Sequence, residues 1–191
     1  MQSPDSDITK IKFFTADIKS NMASQGKTAL HSQARYHRAL EKLYPGKIEI
    51  IKGYYSLTQA NLPEYKKPPN KNNRVAVWKL EEKQTDVNIA LHAYRDAIQA
   101  RCEQIVIVSN DSDLVPALKM IREDIGDSIK IGIVTPIRKS IMESKARLAS
   151  ASLGLYADWT RAYILEDELK NSQLPDKIPT KKKPILKPDY W

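Results

Sequence analysis

The sequence predicts an α/β fold in which helices cover a mostly parallel sheet and ligand chemistry gathers at the carboxyl ends of the strands. Three observations predict it. Ile105-Val106-Ile107-Val108 is a run of four β-branched residues, which reads as a strand buried on both faces, as central strands of parallel sheets are. That run breaks into Ser109-Asn110-Asp111-Ser112-Asp113, a polar cluster at the edge where open α/β sheets bind ligands. Upstream, the strand-like stretch from Val75 to Leu80 gives way to Glu81-Glu82-Lys83-Gln84-Thr85-Asp86 and then to a helical pattern, so the same sequence of events occurs twice.

In chain order, Lys10 to Ile18 reads as a strand with Phe13 and Phe14 near its middle, and residues 19–27 as a polar loop. Thr28 to Tyr44 is expected to be helical, with Leu30, Ala34, His37, Leu40 and Leu43 close to one stripe and Pro45-Gly46 ending it. Ile48 to Leu57 is the next strand. Thr58 to Asn73, rich in proline, lysine and asparagine, reads as a loop whose length calls for function or mobility. After Asp86, the residues Val87, Ala90, Leu91, Tyr94 and Ile98 form one apolar helix face. Leu114 to Ile125 is a helix ended near Gly126, Ile129 to Val134 a strand, and Ser140 to Ala149 a helix. Ala151 to Asp158 reads as a connection, Arg161 to Leu165 as a short strand, and Glu166 to Asn171 as a last helical turn or two. From Pro175 onward prolines recur among lysines, so residues 8–174 are expected to be the folded domain and 175–191 a flexible basic tail.

Composition narrows the classes. One cysteine among 191 residues leaves no disulfide framework, which points to a reducing, cytoplasmic setting. No apolar stretch approaches the length that spans a bilayer, so no membrane partner is expected. The formal charge of +8 favours a polyanion, although half of it lies in the final fifteen residues. The glycines at 26, 46, 53, 126, 132 and 154 contain no Gly-x-Gly pair, so a dinucleotide fingerprint cannot be drawn and no bound flavin is expected. Asn21 to Thr28 ends like a phosphate-binding loop, but Asn21 stands where the first glycine is needed. His31 and His37 are six apart and have no nearby cysteine, which disfavours zinc. His92 and Cys102 read as packing residues.

The acidic residues carry more. Asp111 and Asp113 lie two apart and can converge if the backbone stays extended, although Asp113 could equally cap the helix at Leu114, leaving only a cap and a turn. Asp86 falls at a helix start beside the carboxyl end of its own strand. Neighbouring parallel strands would bring Asp86, Asp111 and Asp113 together. Convergent carboxylates repel unless a cation sits among them, and the usual solution is Mg²⁺ or Mn²⁺ bound through oxygen.

Glu82-Lys83-Gln84-Thr85-Asp86-Val87-Asn88-Ile89-Ala90 followed by Val108-Ser109-Asn110-Asp111-Ser112-Asp113-Leu114 resembles the paired motifs of the NYN domain, a branch of the PIN-like nuclease superfamily. The resemblance covers roughly residues 10 to 175 and extends through Phe13-Phe14-Thr15-Ala16 and Ser172-Gln173-Leu174-Pro175. It implies a Rossmann-like, PIN-like three-layer fold and a metal-dependent endoribonuclease acting on RNA. It also implies Asp86, Asp111 and Asp113 as catalytic and metal-binding positions, Glu82 as a further ligand, and Mg²⁺ or Mn²⁺ as the cofactor. Lys66, Lys67, Lys71 and Lys83 would then hold the phosphate backbone.

One departure stands out, because chains of this type open with a strand ending in a metal-ligating Asp. Nothing before Ile11 supplies that strand, and neither Asp5 nor Asp7 has an apolar strand to position it. The first βα unit is therefore expected to be missing, which leaves two origins open: a start internal to a longer reading frame, or a truncated member. Cleavage by residues 1–191 is expected to be weak or absent until such a strand is restored, and the apolar sheet edge left behind favours pairing with another chain, a homo-oligomer included. Two alternatives remain. Chains with these same marks carry the family name 6-hydroxy-3-succinoylpyridine 3-monooxygenase, an oxidoreductase of nicotine breakdown. The other alternative is a nucleic-acid-binding module without catalysis.

Overall fold

The computed structural model describes residues 6–137 and 150–190; the helix expected over 140–149 lies outside them. The first strand, β1 (Ile11–Ala16), pairs in parallel with the start of β2 (Ile48–Pro63) from Ile11↔Ile48 to Ala16↔Gly53. Between them runs α1 (Gly26–Leu43). Beyond Gly53, β2 pairs antiparallel with β3 (Arg74–Lys83) from Tyr54↔Lys83 to Pro63↔Arg74. The chain then enters α2 (Thr85–Ile98), followed by β4 (Gln104–Val108), a single 3-10 turn at Ser112–Leu114, and α3 (Val115–Ile125). Next come β5 (Lys130–Val134), α4 (Ala151–Gly154), β6 (Trp159–Arg161), α5 (Glu166–Asn171), and the two-residue strands β7 (Lys177–Ile178) and β8 (Ile185–Leu186).

The fold is α/β with parallel ladders, as the sequence predicts, but the described strands form two three-stranded sheets, β1-β2-β3 and β4-β5-β6, the second all parallel. Helix α2 lies across both. It meets β1 through a T-shaped contact of His92 on Phe14 and the ion pair of Lys12 with Asp96. It meets the second sheet through Ala93 and Ala97, which share one core with Ile107, Leu118, Ile121 and Ile131. Because successive strand residues face opposite ways, Phe13 points to the other side and packs on Tyr36 and His37 of α1. β1 is thus covered on both faces, which is the layering of an α/β fold.

Strand β4 departs from its reading as a strand buried on both faces. Ile107 is buried under α2 and α3, while Val106 and Val108 are 44% and 60% exposed. β4 hydrogen-bonds only to β5 among the described strands. A β-branched run identifies a strand, not whether both of its faces are covered.

Two other stretches differ from their sequence reading. Of Thr58 to Asn73, expected as a loop, residues 58–63 belong to β2 of the β2–β3 ribbon and residues 64–73 are the loop at its tip. Within residues 175–191, expected as a flexible tail, the β7–β8 hairpin buries Ile178 and Ile185 against Ala39 of α1. Tyr190 donates to the Ser32 hydroxyl. Prolines and lysines dominate that segment, but two isoleucines are enough to dock a hairpin on an apolar helix face.

The second sheet is tied at its far end by Arg122, which donates to the carbonyls of Gly126 (3.0 Å), Ile129 (2.9 Å) and Tyr156 (2.9 Å) and to Asp158 (2.5 Å). The Asp158 carboxylate also accepts the Ile131 backbone N–H at 2.7 Å and pairs with Lys130 at 3.2 Å. The backbone N–H and then these cations hold Asp158 down to about 2.

Candidate functional site

The two acid-bearing segments arrive at one end of α2. On the first, β3 ends at Lys83, Gln84 takes a left-handed conformation (φ 74°), and α2 starts at Thr85. A non-glycine residue there is uncommon and costs free energy unless the surroundings impose it. Gly53 of β2 is what lets the turn sit close: a Cβ added to it would lie 2.3 Å from the Lys83 carbonyl oxygen and 2.7 Å from the Thr85 hydroxyl. The close approach of β2 therefore fixes where Asp86 stands. Thr85 donates its hydroxyl to Glu82. Tyr55 also hydrogen-bonds Glu82, and burial and that carboxylate together push its phenol up.

On the second segment, β4 ends at Val108 and the Ser109 N–H reaches the Val134 carbonyl at 3.0 Å. The Ser109 hydroxyl accepts the Asp111 N–H at 3.1 Å, and Asp111 Oδ1 accepts the Asp113 N–H at 3.0 Å. Asp111, not Asp113, is thus the cap of the short 3-10 turn, with one oxygen engaged by backbone and the other left for chemistry. Asn110 Oδ1 accepts the Ser150 N–H at 2.7 Å, which ties this loop to the start of α4. Tyr55 carries no signal in the sequence, and Thr85, Ser109 and Asn110 stand inside the two motifs without a role of their own there, since their partners lie on other elements or in a backbone turn.

Electrostatics joins the two segments. Burial, then the charges of Asp111, Glu82 and Asp113 in that order, push the Asp86 carboxyl above its ordinary value. Asp86 therefore feels the other three carboxylates at the start of α2, and such repulsion is what a cation relieves. The donor set is all oxygen, the class that Mg²⁺ and Mn²⁺ take. Among the described residues no three acidic, His or Cys side chains are gathered closely enough to chelate a bare ion. The set suits a hydrated cation held by one or two carboxylates, which is the habit of Mg²⁺.

The basic residues expected to hold phosphate fall elsewhere. Lys66, Lys67 and Lys71 are at the tip of the β2–β3 ribbon, where Lys66 pairs with Glu64 at 2.8 Å. Lys83 is at its root and pairs with Glu81 at 3.2 Å. Only Lys83 adjoins the acidic residues in sequence and structure. Among the described residues no helix is long and apolar enough to cross a membrane.

A family model described as the NYN domain matches residues 16–148. A curated protein named 6-hydroxy-3-succinoylpyridine 3-monooxygenase HspA, from Pseudomonas putida, is 42% identical over 186 residues, which cover 95% of this chain and 57% of that protein. The chain thus spans little more than half the length of that relative. A solved structure of a protein of unknown function from Vibrio parahaemolyticus is 15% identical and covers 85% of this chain and 98% of its own, with a TM-score of 0.33, too low to bear on function.

Proposed function

The chain belongs to the NYN domain family, and from that premise we propose that it hydrolyses RNA phosphodiesters with the help of Mg²⁺ or Mn²⁺ held at Asp86, Asp111, Asp113 and Glu82. The observation that carries this reading is that Asp86, at the start of α2, is raised by burial and then by the charges of Asp111, Glu82 and Asp113. A cation bound there would activate a water for attack on phosphorus and stabilise the leaving oxygen.

The protein's own part is to hold that charge in place. Asp111 is fixed by the Ser109 and Asp113 contacts, and Glu82 by Thr85 and Tyr55. Lys83 at the ribbon root and Lys66, Lys67 and Lys71 at its tip would hold the phosphate backbone of the strand being cut. Carboxylates that surround a cation without chelating it hold it loosely, so turnover is expected to be slow.

A second reading rests on the 42% identical relative named as a monooxygenase: hydroxylation of a substituted pyridine. The six glycines of this chain include no Gly-x-Gly pair, so a flavin would need another cradle. The test runs both reactions on the same preparation. Cleavage of single-stranded RNA that needs Mg²⁺ or Mn²⁺ and is lost in Asp111→Asn supports the first reading. Hydroxylation of the pyridine by the isolated chain, or recovery of stoichiometric flavin, would overturn it.

A further inference from the structure

The β2–β3 ribbon leaves the body of the molecule. β1 pairs with β2 only as far as Gly53, and from Tyr54↔Lys83 to Pro63↔Arg74 the two strands pair only with each other among the described strands. Ten paired residues make an arm of about 33 Å. Its register sorts the side chains: Arg74, Trp78, Leu80 and Glu82 share one face with Leu57, and the opposite face carries Lys79, Glu81 and Lys83. The first face starts at the acidic residues, because Glu82 is among the charges that raise Asp86.

Trp78 lies on that face, 65% exposed, and Tyr65 at the tip is 88% exposed. A two-stranded ribbon has no core to cover them, and Trp78 shares its face with Leu80, 40% exposed, so the exposure is a patch and not a lone ring. Over residues 54–83 the arm carries six basic against three acidic side chains. Glu81 is matched by Lys79 at 2.6 Å and Lys83 at 3.2 Å, and Glu64 by Lys66 at 2.8 Å. Lys67 and Lys71 have no carboxylate within ion-pair distance among the described residues. Exposed aromatic rings combined with basic side chains are how proteins hold unpaired nucleic acid, stacking on bases while cations follow the backbone.

We propose that this face of the arm is a docking track for single-stranded nucleic acid, with Trp78 as the stacking platform nearest the carboxylates and Tyr65, Lys67 and Lys71 engaging the strand farther out. It deepens the RNA-hydrolase reading and rests on it for the direction of the track, from the acidic end to the tip. Trp78 stands four residues from Glu82, about 13 Å along the strand, so the stacked base is a neighbour of the scissile linkage and not part of it. Unpaired bases are required because a stacked duplex hides the base faces that indole would cover, and the major groove of duplex RNA is too narrow to admit side chains.

The test is titration of the full chain with a twelve-residue oligouridine in excess chelator, which stops hydrolysis, reading tryptophan fluorescence and the anisotropy of a labelled strand. Quenching on binding is expected, with Trp78→Ala losing most of the quench and about tenfold in affinity. Trp78→Phe should recover part of the affinity. Lys67→Ala with Lys71→Ala should lower the salt slope by roughly 1.4, and a duplex RNA of the same length should bind more weakly. Unchanged affinity and quench in a folded Trp78→Ala variant overturn the track, even if the protein cuts RNA. So does a dimer that Trp78→Ala converts to monomer without any change in oligonucleotide binding, which would make the arm a contact between copies. Binding that depends on Trp78 in a protein that cuts no RNA with Mg²⁺ or Mn²⁺ leaves the track standing and removes the hydrolase reading.

Discussion

Asp86 and Asp158 show the same side chain tuned in opposite directions. Asp158, 22% exposed, is held to about 2 by the Ile131 N–H, Arg122 and Lys130. Its folded value lies below the unfolded one, so it contributes stability that is present above about pH 4 and is lost as pH falls toward 2. Asp158→Asn should therefore cost about 1–2 kcal/mol at pH 7 and progressively less in acid, as read by urea unfolding across that range; an equal cost at pH 7 and pH 2 would contradict the assignment. Asp86 is raised by burial and by Asp111, Glu82 and Asp113. Its ionisation costs the fold stability as pH rises through its folded value. Asp86→Asn should thus melt slightly higher than the parent at pH 7 without divalent cations, by about 0.5 kcal/mol because the site is open to solvent. Added Mg²⁺ or Mn²⁺ should stabilise the parent more than the variant. Neither tuning was legible in the sequence, since the groups that shift each carboxylate come from separate elements.

At the scale of elements, the sequence disclosed the two strand-to-acid breaks and the helices that follow them, because periodicity and capping chemistry are local. It did not disclose partners. The β-branched run of β4 reads alike whether its two faces are covered or one, and Val106 and Val108 point to the face opposite Ile107, where they stay exposed. Thr58, Gln59, Ala60 and Asn61 look like loop residues, yet β3 pairs with them residue for residue. Gly53 gave no motif, although it sets the distance between β2 and the turn that delivers Asp86. Gly53→Ala should push β2 off the Lys83–Thr85 turn at a cost of about 1–3 kcal/mol; a melting temperature equal to that of the parent would show the approach to be looser than described. The β7–β8 hairpin is testable in the same way. Ile185 is 7% exposed against α1, so Ile185→Ala should cost about 2 kcal/mol or more, whereas a flexible tail would lose nothing.

At the scale of the molecule, a net positive charge accompanies a few acidic residues near the start of α2. The formal charge is +8, while the charges of Asp111, Glu82 and Asp113 reach Asp86 at the start of α2. That contrast suits a polyanionic substrate drawn in by the basic surface and met by a cation at the acidic one. The most direct measurement is cleavage of an end-labelled single-stranded RNA by the purified chain with Mg²⁺ or Mn²⁺, set beside chelator and Asp111→Asn. Slow cleavage that chelator stops and that Asp111→Asn slows by about tenfold or more is the expected result. Cleavage that is absent with both cations, or equal in the parent and Asp111→Asn, would contradict the assignment of these carboxylates.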